Sequence, residues 1–146
     1  MPDLKLFEIL LVEDDTGDGE LALRALRQHN LVNEVVWVRD GQAALDFVFR
    51  REQYASRAQD NPHLILLDLK LPKIDGIGVL RALKGDERTR DIPVVVLTVS
   101  AQERDVTEAY RLGVNSYLVK PVEFQDFAGV VAQAGYYWAL VNREPS

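Results

Sequence analysis

Two patterns of apolar residues alternate along the chain. Short apolar runs are separated by longer segments in which apolar residues recur every three or four positions. The short runs have the length of β-strands and cover residues 7–12, 34–39, 64–67, 93–97 and 116–119. Three of them are almost continuously hydrophobic, which is typical of strands that are covered on both faces.

The longer segments have the apolar spacing of amphipathic helices. They cover residues 21–29, 41–54, 76–84, 103–113 and 123–142. A strand followed by a helix therefore occurs five times, which predicts a parallel sheet with right-handed crossovers and helices on both faces. We predict an α/β fold built on a doubly wound (βα)5 sheet.

Length and charge narrow the class of protein. The chain has 146 residues, of which 47% are hydrophobic. This predicts a single domain over residues 1–146, with a sizeable core and no room for an output domain. The formal net charge is −6, so we expect no binding to the phosphate backbone of a nucleic acid. Cysteine is absent and no apolar run reaches membrane-spanning length, so we expect a cytoplasmic protein that does not enter a membrane.

Charged and hydroxyl side chains stand where the predicted strands end. They are Glu13, Asp14 and Asp15 after the first strand, Asp68 after the third, Thr98 after the fourth and Lys120 after the fifth. The carboxyl ends of parallel strands meet at one edge of a sheet. Because strands one and three are neighbours in a doubly wound sheet, at least one of the three early acids should lie beside Asp68. Clustered carboxylates repel one another unless a cation or a raised pKa relieves them, and Mg²⁺ binds such oxygens well.

These residue types match the needs of phosphoryl transfer. A carboxylate such as that of Asp68 can attack a phosphoryl group and form an acyl phosphate. A metal ion would neutralise charge on the transferring group, while the Lys120 ammonium and the Thr98 hydroxyl would each contact one of its oxygens. We therefore interpret Asp68 as a phosphoacceptor.

Four motifs carry a resemblance to a known family. They are LVEDD at 11–15, LILLDLKLPKIDG at 64–76, VVVLT at 94–98 and SYLVKP at 116–121. In this order and spacing they resemble the receiver domains of two-component response regulators, the CheY-like family. The resemblance runs from about residue 7 to the last predicted helix, and it implies a flavodoxin-like sheet with strand order 2-1-3-4-5.

The resemblance implies a phosphorylation site and a metal site. Asp68 takes the position that a histidine kinase phosphorylates. Asp14, Asp68 and the backbone carbonyl of Lys70 would bind Mg²⁺, or Mn²⁺ in its place, with Glu13 acting through a water molecule. Asp15 falls one position beyond the acidic pair and is expected to face solvent.

The resemblance also implies a conformational switch. Thr98 and Tyr117 take the positions of the switch threonine and the switch aromatic residue, and the Lys120–Pro121 peptide is expected to be cis. One residue departs from the family pattern. The residue after the switch threonine is usually small, whereas Val99 stands here and could narrow access to the phosphoryl group.

A closer resemblance is to the stand-alone regulators that serve bacterial and cyanobacterial phytochromes. It rests on the segments DGQAALDFVFRREQY, NPHLILLDLKLPK and NSYLVKP and on the aromatic residues near the C-terminus. It implies a single-domain homodimer that receives its phosphoryl group from a sensor histidine kinase such as a bacteriophytochrome. Signalling would pass through contact with a downstream protein of unknown identity. Apart from its own phosphorylation and dephosphorylation, no enzymatic activity is expected.

Two alternatives remain open at this point. A phosphohydrolase of the haloacid dehalogenase type also uses a strand-end aspartate and Mg²⁺, but its second aspartate, two residues further on, is replaced here by Lys70. A flavodoxin-like scaffold that is never phosphorylated would not need the complete set of acids, threonine and lysine. Both alternatives are therefore less favoured than a phosphoacceptor.

Overall fold

The structure, a computed structural model, describes residues 8–28, 34–57, 61–122, 125–126 and 129. The strands are Glu8–Val12 (β1), Glu34–Val38 (β2), Leu64–Leu67 (β3), Val94–Thr98 (β4) and Ser116–Val119 (β5). The α-helices of the described residues are Thr16–Gln28 (α1), Gly41–Val48 (α2), Gly76–Lys84 (α3) and Glu103–Arg111 (α4), and Glu52–Tyr54 forms a 3₁₀ helix. Strands and helices alternate as the apolar pattern predicts.

All five strands are parallel and lie in the order β2-β1-β3-β4-β5. This confirms the predicted doubly wound α/β fold and its strand order. The register pairs Val12 with Leu67 and Thr98 with Val119. The residues that follow these strands are therefore placed side by side at one edge of the sheet.

The centre of the sheet is covered on both faces. All four side chains of β3 are fully buried, at 0% exposure. Ile65 and Leu67 belong to the apolar cluster formed with α2, α3 and α4, whereas Leu64 and Leu66 belong to the cluster that includes Leu26 of α1. Burying an aliphatic side chain of this size stabilises the fold by roughly 1.5–3 kcal/mol. The continuous apolar run before Asp68 is thus explained by a strand that is buried on both faces.

Two predicted helices differ from those in the structure. The first begins at Thr16 rather than at residue 21, because the Asp15 carboxylate accepts a hydrogen bond from the N–H of Asp18 at 2.8 Å and caps the new first turn. The second, predicted over 41–54, ends as an α-helix at Val48. Arg50 and Glu52 have φ angles of 55° and 52°, which no α-helix accommodates, and the 3₁₀ helix follows.

The predicted final helix, 123–142, and its aromatic residues lie almost entirely outside the described residues.

The Lys120–Pro121 peptide is cis, as predicted. No helix among the described residues has the length and apolar content that crossing a bilayer requires.

Candidate functional site

The predicted acids meet at the carboxyl edge of the sheet. The backbone N–H of Asp68 donates to the carbonyl of Val12 at 3.1 Å, which extends the pairing of β1 with β3 by one step. Glu13 and Asp14 follow directly on β1. One carboxylate oxygen from each of Glu13, Asp14 and Asp68 lies within 4.8 Å of the other two. The expectation that an early acid lies beside Asp68 is thus met by two residues.

The donor set of these acids fits a hard divalent cation. The residues supply carboxylate oxygens alone, which are the ligands that Mg²⁺ and Mn²⁺ prefer. Glu13 and Asp68 are buried, whereas Asp14 is exposed and leaves the cluster open to solvent. An ion can therefore reach the cluster, and the charge of the three acids favours its binding.

Lys120 is the cation that the structure itself places in this cluster. Its ammonium group donates hydrogen bonds to the carboxylates of Glu13, Asp18 and Asp68, the last two at 3.0 and 3.1 Å. The backbone N–H of Lys120 donates to the carbonyl of Thr98 at 2.7 Å, which continues the pairing of β4 with β5. The side chain is 13% exposed. Its charge is therefore concentrated on the acids rather than shared with solvent.

Glu13 and Lys120 have shifted pKa values. Burial raises the pKa of the Glu13 carboxyl to about 7, although the hydrogen bond from Lys120 acts in the opposite direction. Burial by itself would lower the pKa of Lys120, but the hydrogen bonds to Glu13 and Asp18 and the charge of Asp68 outweigh it and raise that pKa. Lys120 is therefore charged throughout the physiological range.

The loop after Asp68 holds its carboxylate in place. Oδ1 accepts a hydrogen bond from the backbone N–H of Lys70 at 3.1 Å, and Oδ2 accepts the one from Lys120. Asp75 caps α3 by accepting from the N–H of Gly78 at 2.8 Å. A Cβ atom at Gly76 would overlap the backbone of Asp68, so the Asp-Gly pair of the motif both starts α3 and lets the loop fold back.

Thr98 and Tyr117 belong to a second group, centred on Ser100. Thr98 is fully buried, and its hydroxyl accepts a long hydrogen bond of 3.4 Å from the N–H of Ser100. The Tyr117 hydroxyl donates to the carbonyl of Ser100 at 2.9 Å. The Ser100 hydroxyl in turn is bonded to the carboxylate of Asp105 on α4. Burial raises the pKa of Tyr117. The two predicted switch residues are thus connected through the loop between β4 and α4.

Asp15, Val99 and Asp18 lie next to the predicted site residues. Asp15 is exposed, as predicted, and serves as the cap of α1. Val99 is 57% exposed, so its side chain faces solvent. Asp18 was missed by the sequence interpretation. The signal that could have found it is its position three residues after Asp15, as an acidic residue in the first turn of a helix that starts directly after the acidic run.

The sequence profile of the response regulator receiver domain matches residues 9–132. The chain belongs to the response regulator receiver family. Such a receiver is not an enzyme of the usual kind, so the phosphohydrolase alternative loses its support. The match spans the acid cluster, Asp68, Lys120 and the group around Ser100, which places all of them inside the family domain.

Three relatives show where this receiver lies within the family. It is 44% identical, over 139 residues, to the probable methanogenesis regulatory protein FilR2 of Methanothrix harundinacea, covering 95% of this chain and 88% of FilR2. The bacteriophytochrome response regulator RtBRR is 50% identical with a TM-score of 0.83, covering 97% of this chain and 85% of RtBRR. The Mn²⁺-bound form of response regulator Rcp1, a protein known from Synechocystis, is 39% identical with a TM-score of 0.78, covering 95% and 99%.

Proposed function

We propose that this receiver accepts a phosphoryl group on Asp68 from a histidine kinase and signals through a surface that changes on phosphorylation. The observation that carries the proposal is the position of the Asp68 carboxylate. It lies 3.1 Å from the Lys120 ammonium group and within 4.8 Å of the carboxylates of Glu13 and Asp14. Asp68 is 7% exposed at the end of a buried strand, so its geometry is well defined.

The reaction is a transfer from nitrogen to oxygen. A carboxylate oxygen of Asp68 attacks phosphorus, the bond between phosphorus and the kinase histidine nitrogen breaks, and the nitrogen retains the bonding electron pair. Lys120 pairs with one oxygen of the phosphoryl group in the acyl phosphate. The Thr98 hydroxyl pairs with another. Lys120 now donates to Asp68 itself, and the Thr98 hydroxyl, which accepts from the N–H of Ser100, has its own hydrogen to donate to the phosphoryl group.

Asp14, Asp68 and the backbone carbonyl of Lys70 are proposed to bind the divalent cation, Mg²⁺ or Mn²⁺, with Glu13 acting through water. The bound ion supplies positive charge against the oxygens of the phosphoryl group. The Mn²⁺-bound form of Rcp1 supports this proposal. So does the exposed side of the cluster at Asp14, through which an ion can enter.

The switch is proposed to work as a shift between two arrangements of the loop between β4 and α4. Movement of Thr98 toward the phosphoryl group would break the long hydrogen bond that its hydroxyl accepts from the N–H of Ser100. The bond from Tyr117 to the Ser100 carbonyl would favour one of the two arrangements. Phosphorylation then supplies the bias between states, and the surface around α4 and β5 reports it.

For partners, we propose a sensor histidine kinase such as a bacteriophytochrome, a downstream protein of unknown identity, and a homodimer of single-domain chains. The similarity to RtBRR and Rcp1 supports the histidine kinase as partner. FilR2, which is also similar to this chain, is a probable methanogenesis regulatory protein, so the similarity does not restrict the kinase to a bacteriophytochrome. The exposed side chains of Tyr110 on α4 and Val119 on the edge strand β5 support an interface there.

The decisive experiment is intact-mass spectrometry after incubation with acetyl phosphate and Mg²⁺. Wild type should gain one phosphoryl group, and Asp68→Asn should gain none. Asp91→Asn, an exposed acid outside the site, is the matched control and should behave as wild type. EDTA should abolish the adduct. An adduct on Asp68→Asn equal to that on wild type would contradict the assignment.

A further inference from the structure

The side chain of Trp37 lies against the loop that carries the acids. From the edge strand β2, its indole Nε1 donates a hydrogen bond to the backbone carbonyl of Glu13 at 2.8 Å. The backbone N–H of Glu13 donates to the carbonyl of Val38 at 3.0 Å. Both backbone polar groups of Glu13 are therefore held by β2, one through the main chain and the other through the tryptophan.

The indole ring is itself held in place. The guanidinium group of Arg39 lies 4.2 Å from the ring centre and donates to the hydroxyl of Thr16, the first residue of α1, at 3.0 Å. A Cβ atom built on Gly19 would overlap the ring. Glycine within a helix costs roughly 0.5–1 kcal/mol relative to alanine. At this position it provides the space that the tryptophan occupies.

Asp14 depends on this arrangement more than its neighbours do. Lys120 holds the carboxylates of Glu13 and Asp68 directly. The Asp14 carboxylate is exposed and has no hydrogen bond or ion pair with the residues that the structure describes. Its direction therefore follows from its backbone conformation and from the rotamers that this conformation allows. The planar peptide between Glu13 and Asp14 contains the carbonyl that Trp37 holds.

We propose that Trp37 is a positioning residue for the divalent-cation site. Its indole N–H fixes the plane of the Glu13–Asp14 peptide and thereby aims the Asp14 carboxylate at the cluster. Trp37 acts through the peptide and does not touch the ion. The inference rests on the proposed function in one respect, because it takes the acid cluster as the place where the cation binds.

The test is a Mn²⁺ titration followed by the electron paramagnetic resonance signal of the free ion. Trp37→Phe keeps an aromatic ring and removes the donor. Gly19→Ala keeps the donor and displaces the ring, so it decides the question if Trp37→Phe fails to fold. We expect each to raise the Kd for Mn²⁺ about three- to tenfold, the net effect of one hydrogen bond. Val48→Ala, which truncates a buried side chain of α2, is the matched control and should lower the urea midpoint without changing the Kd.

A second readout separates positioning from packing. In phosphorylation by acetyl phosphate, the Mg²⁺ concentration that gives half the maximal rate should rise by the same factor in Trp37→Phe. A defect of packing alone would lower the urea midpoint and leave that concentration unchanged, which overturns the inference. If wild type binds Mn²⁺ and both variants bind it equally well, the inference fails alone. If wild type binds no Mn²⁺, the proposed cation site fails together with it.

Discussion

Two groups of side chains at the same edge of the sheet are held by different forces. Around Lys120, one ammonium group bonds to three carboxylates. Around Ser100, the hydroxyl of Ser100 bonds to the Asp105 carboxylate, but the bonds from Tyr117 and to Thr98 join neutral groups, and the latter is long, at 3.4 Å. A neutral hydrogen bond contributes a net 0.5–1.5 kcal/mol, roughly half the strength of a charge-assisted one. The difference suits a reaction centre that stays in place and a loop that can change partners.

Removing the ammonium group of Lys120 should have the largest effect of the changes that test this difference. In Lys120→Met we expect phosphorylation by acetyl phosphate to slow at least about 100-fold, because a charge aimed at the transferring oxygens is lost. Mn²⁺ should bind no more weakly than in wild type, since a competing cation is removed. Phosphorylation rates and Mn²⁺ titrations measure both effects.

The matched control for this variant is Lys73→Met. Lys73 is exposed and contacts Asp40 rather than the cluster. Its replacement should leave both measurements at wild-type values. A wild-type phosphorylation rate in Lys120→Met would contradict this contrast. It would show that phosphoryl transfer does not depend on the charge of the Lys120 ammonium group.

Removing the phenol hydroxyl should have a smaller effect, confined to the other group. Tyr117→Phe loses the bond to the carbonyl of Ser100, and we expect the free energy of unfolding to fall by about 0.5–1.5 kcal/mol. Mn²⁺ affinity should be unchanged. Urea unfolding is the measurement, and Tyr110→Phe, which loses an exposed hydroxyl, is the control. Equal losses in the two variants would mean that the Ser100 bond does not stabilise the loop.

A change of pH should also separate the two groups. Because the pKa of Glu13 is raised from 4.5 to about 7, the metal-free folded protein keeps a proton that the unfolded chain has lost. The contribution of this group to the free energy of unfolding therefore falls as pH rises from about 4.5 to 7, and is constant above. The pKa of Tyr117, raised by burial, keeps the phenol neutral over that range.

Urea unfolding in EDTA between pH 5 and 8 measures this effect. Glu13→Gln should remove the slope that Glu13 contributes, and Tyr117→Phe should retain it. Metal affinity has the opposite pH dependence, because the carboxylates must be deprotonated to bind an ion. Identical slopes in wild type and Glu13→Gln would show that Glu13 does not titrate in this range.

The sequence was sufficient to place a site residue when that residue directly follows a predicted strand. The apolar runs predict β1, β3 and β4, and parallel strands bring their ends together, so at least one acid after β1 could be placed beside Asp68 from position alone. The family resemblance was needed to assign Glu13 and Asp14. The division of work within the acidic run was less evident. Asp15 caps α1, and only the two residues before it join Asp68.

The sequence was not sufficient where a contact depends on the geometry between two elements. Asp18 reaches Lys120 because α1 begins five residues earlier than its apolar spacing predicts. Trp37 meets Glu13 because β2 lies beside β1 at a fixed register. The interruption after Val48 depends on two left-handed residues, Arg50 and Glu52, that no apolar pattern marks. These features come from packing rather than from local preference.

The burial of β3 has a mechanical consequence. Asp68 directly follows a strand whose four side chains are all buried, so the backbone at this end of β3 is stiff. A bulky charged group added to Asp68 will move the strand much less than it moves its surroundings. The strain is relieved where the structure is less rigid. The loop at Ser100 lies next to the site and is held by hydrogen bonds that can change partners. The core of the sheet acts as a fixed anchor against which that loop is displaced.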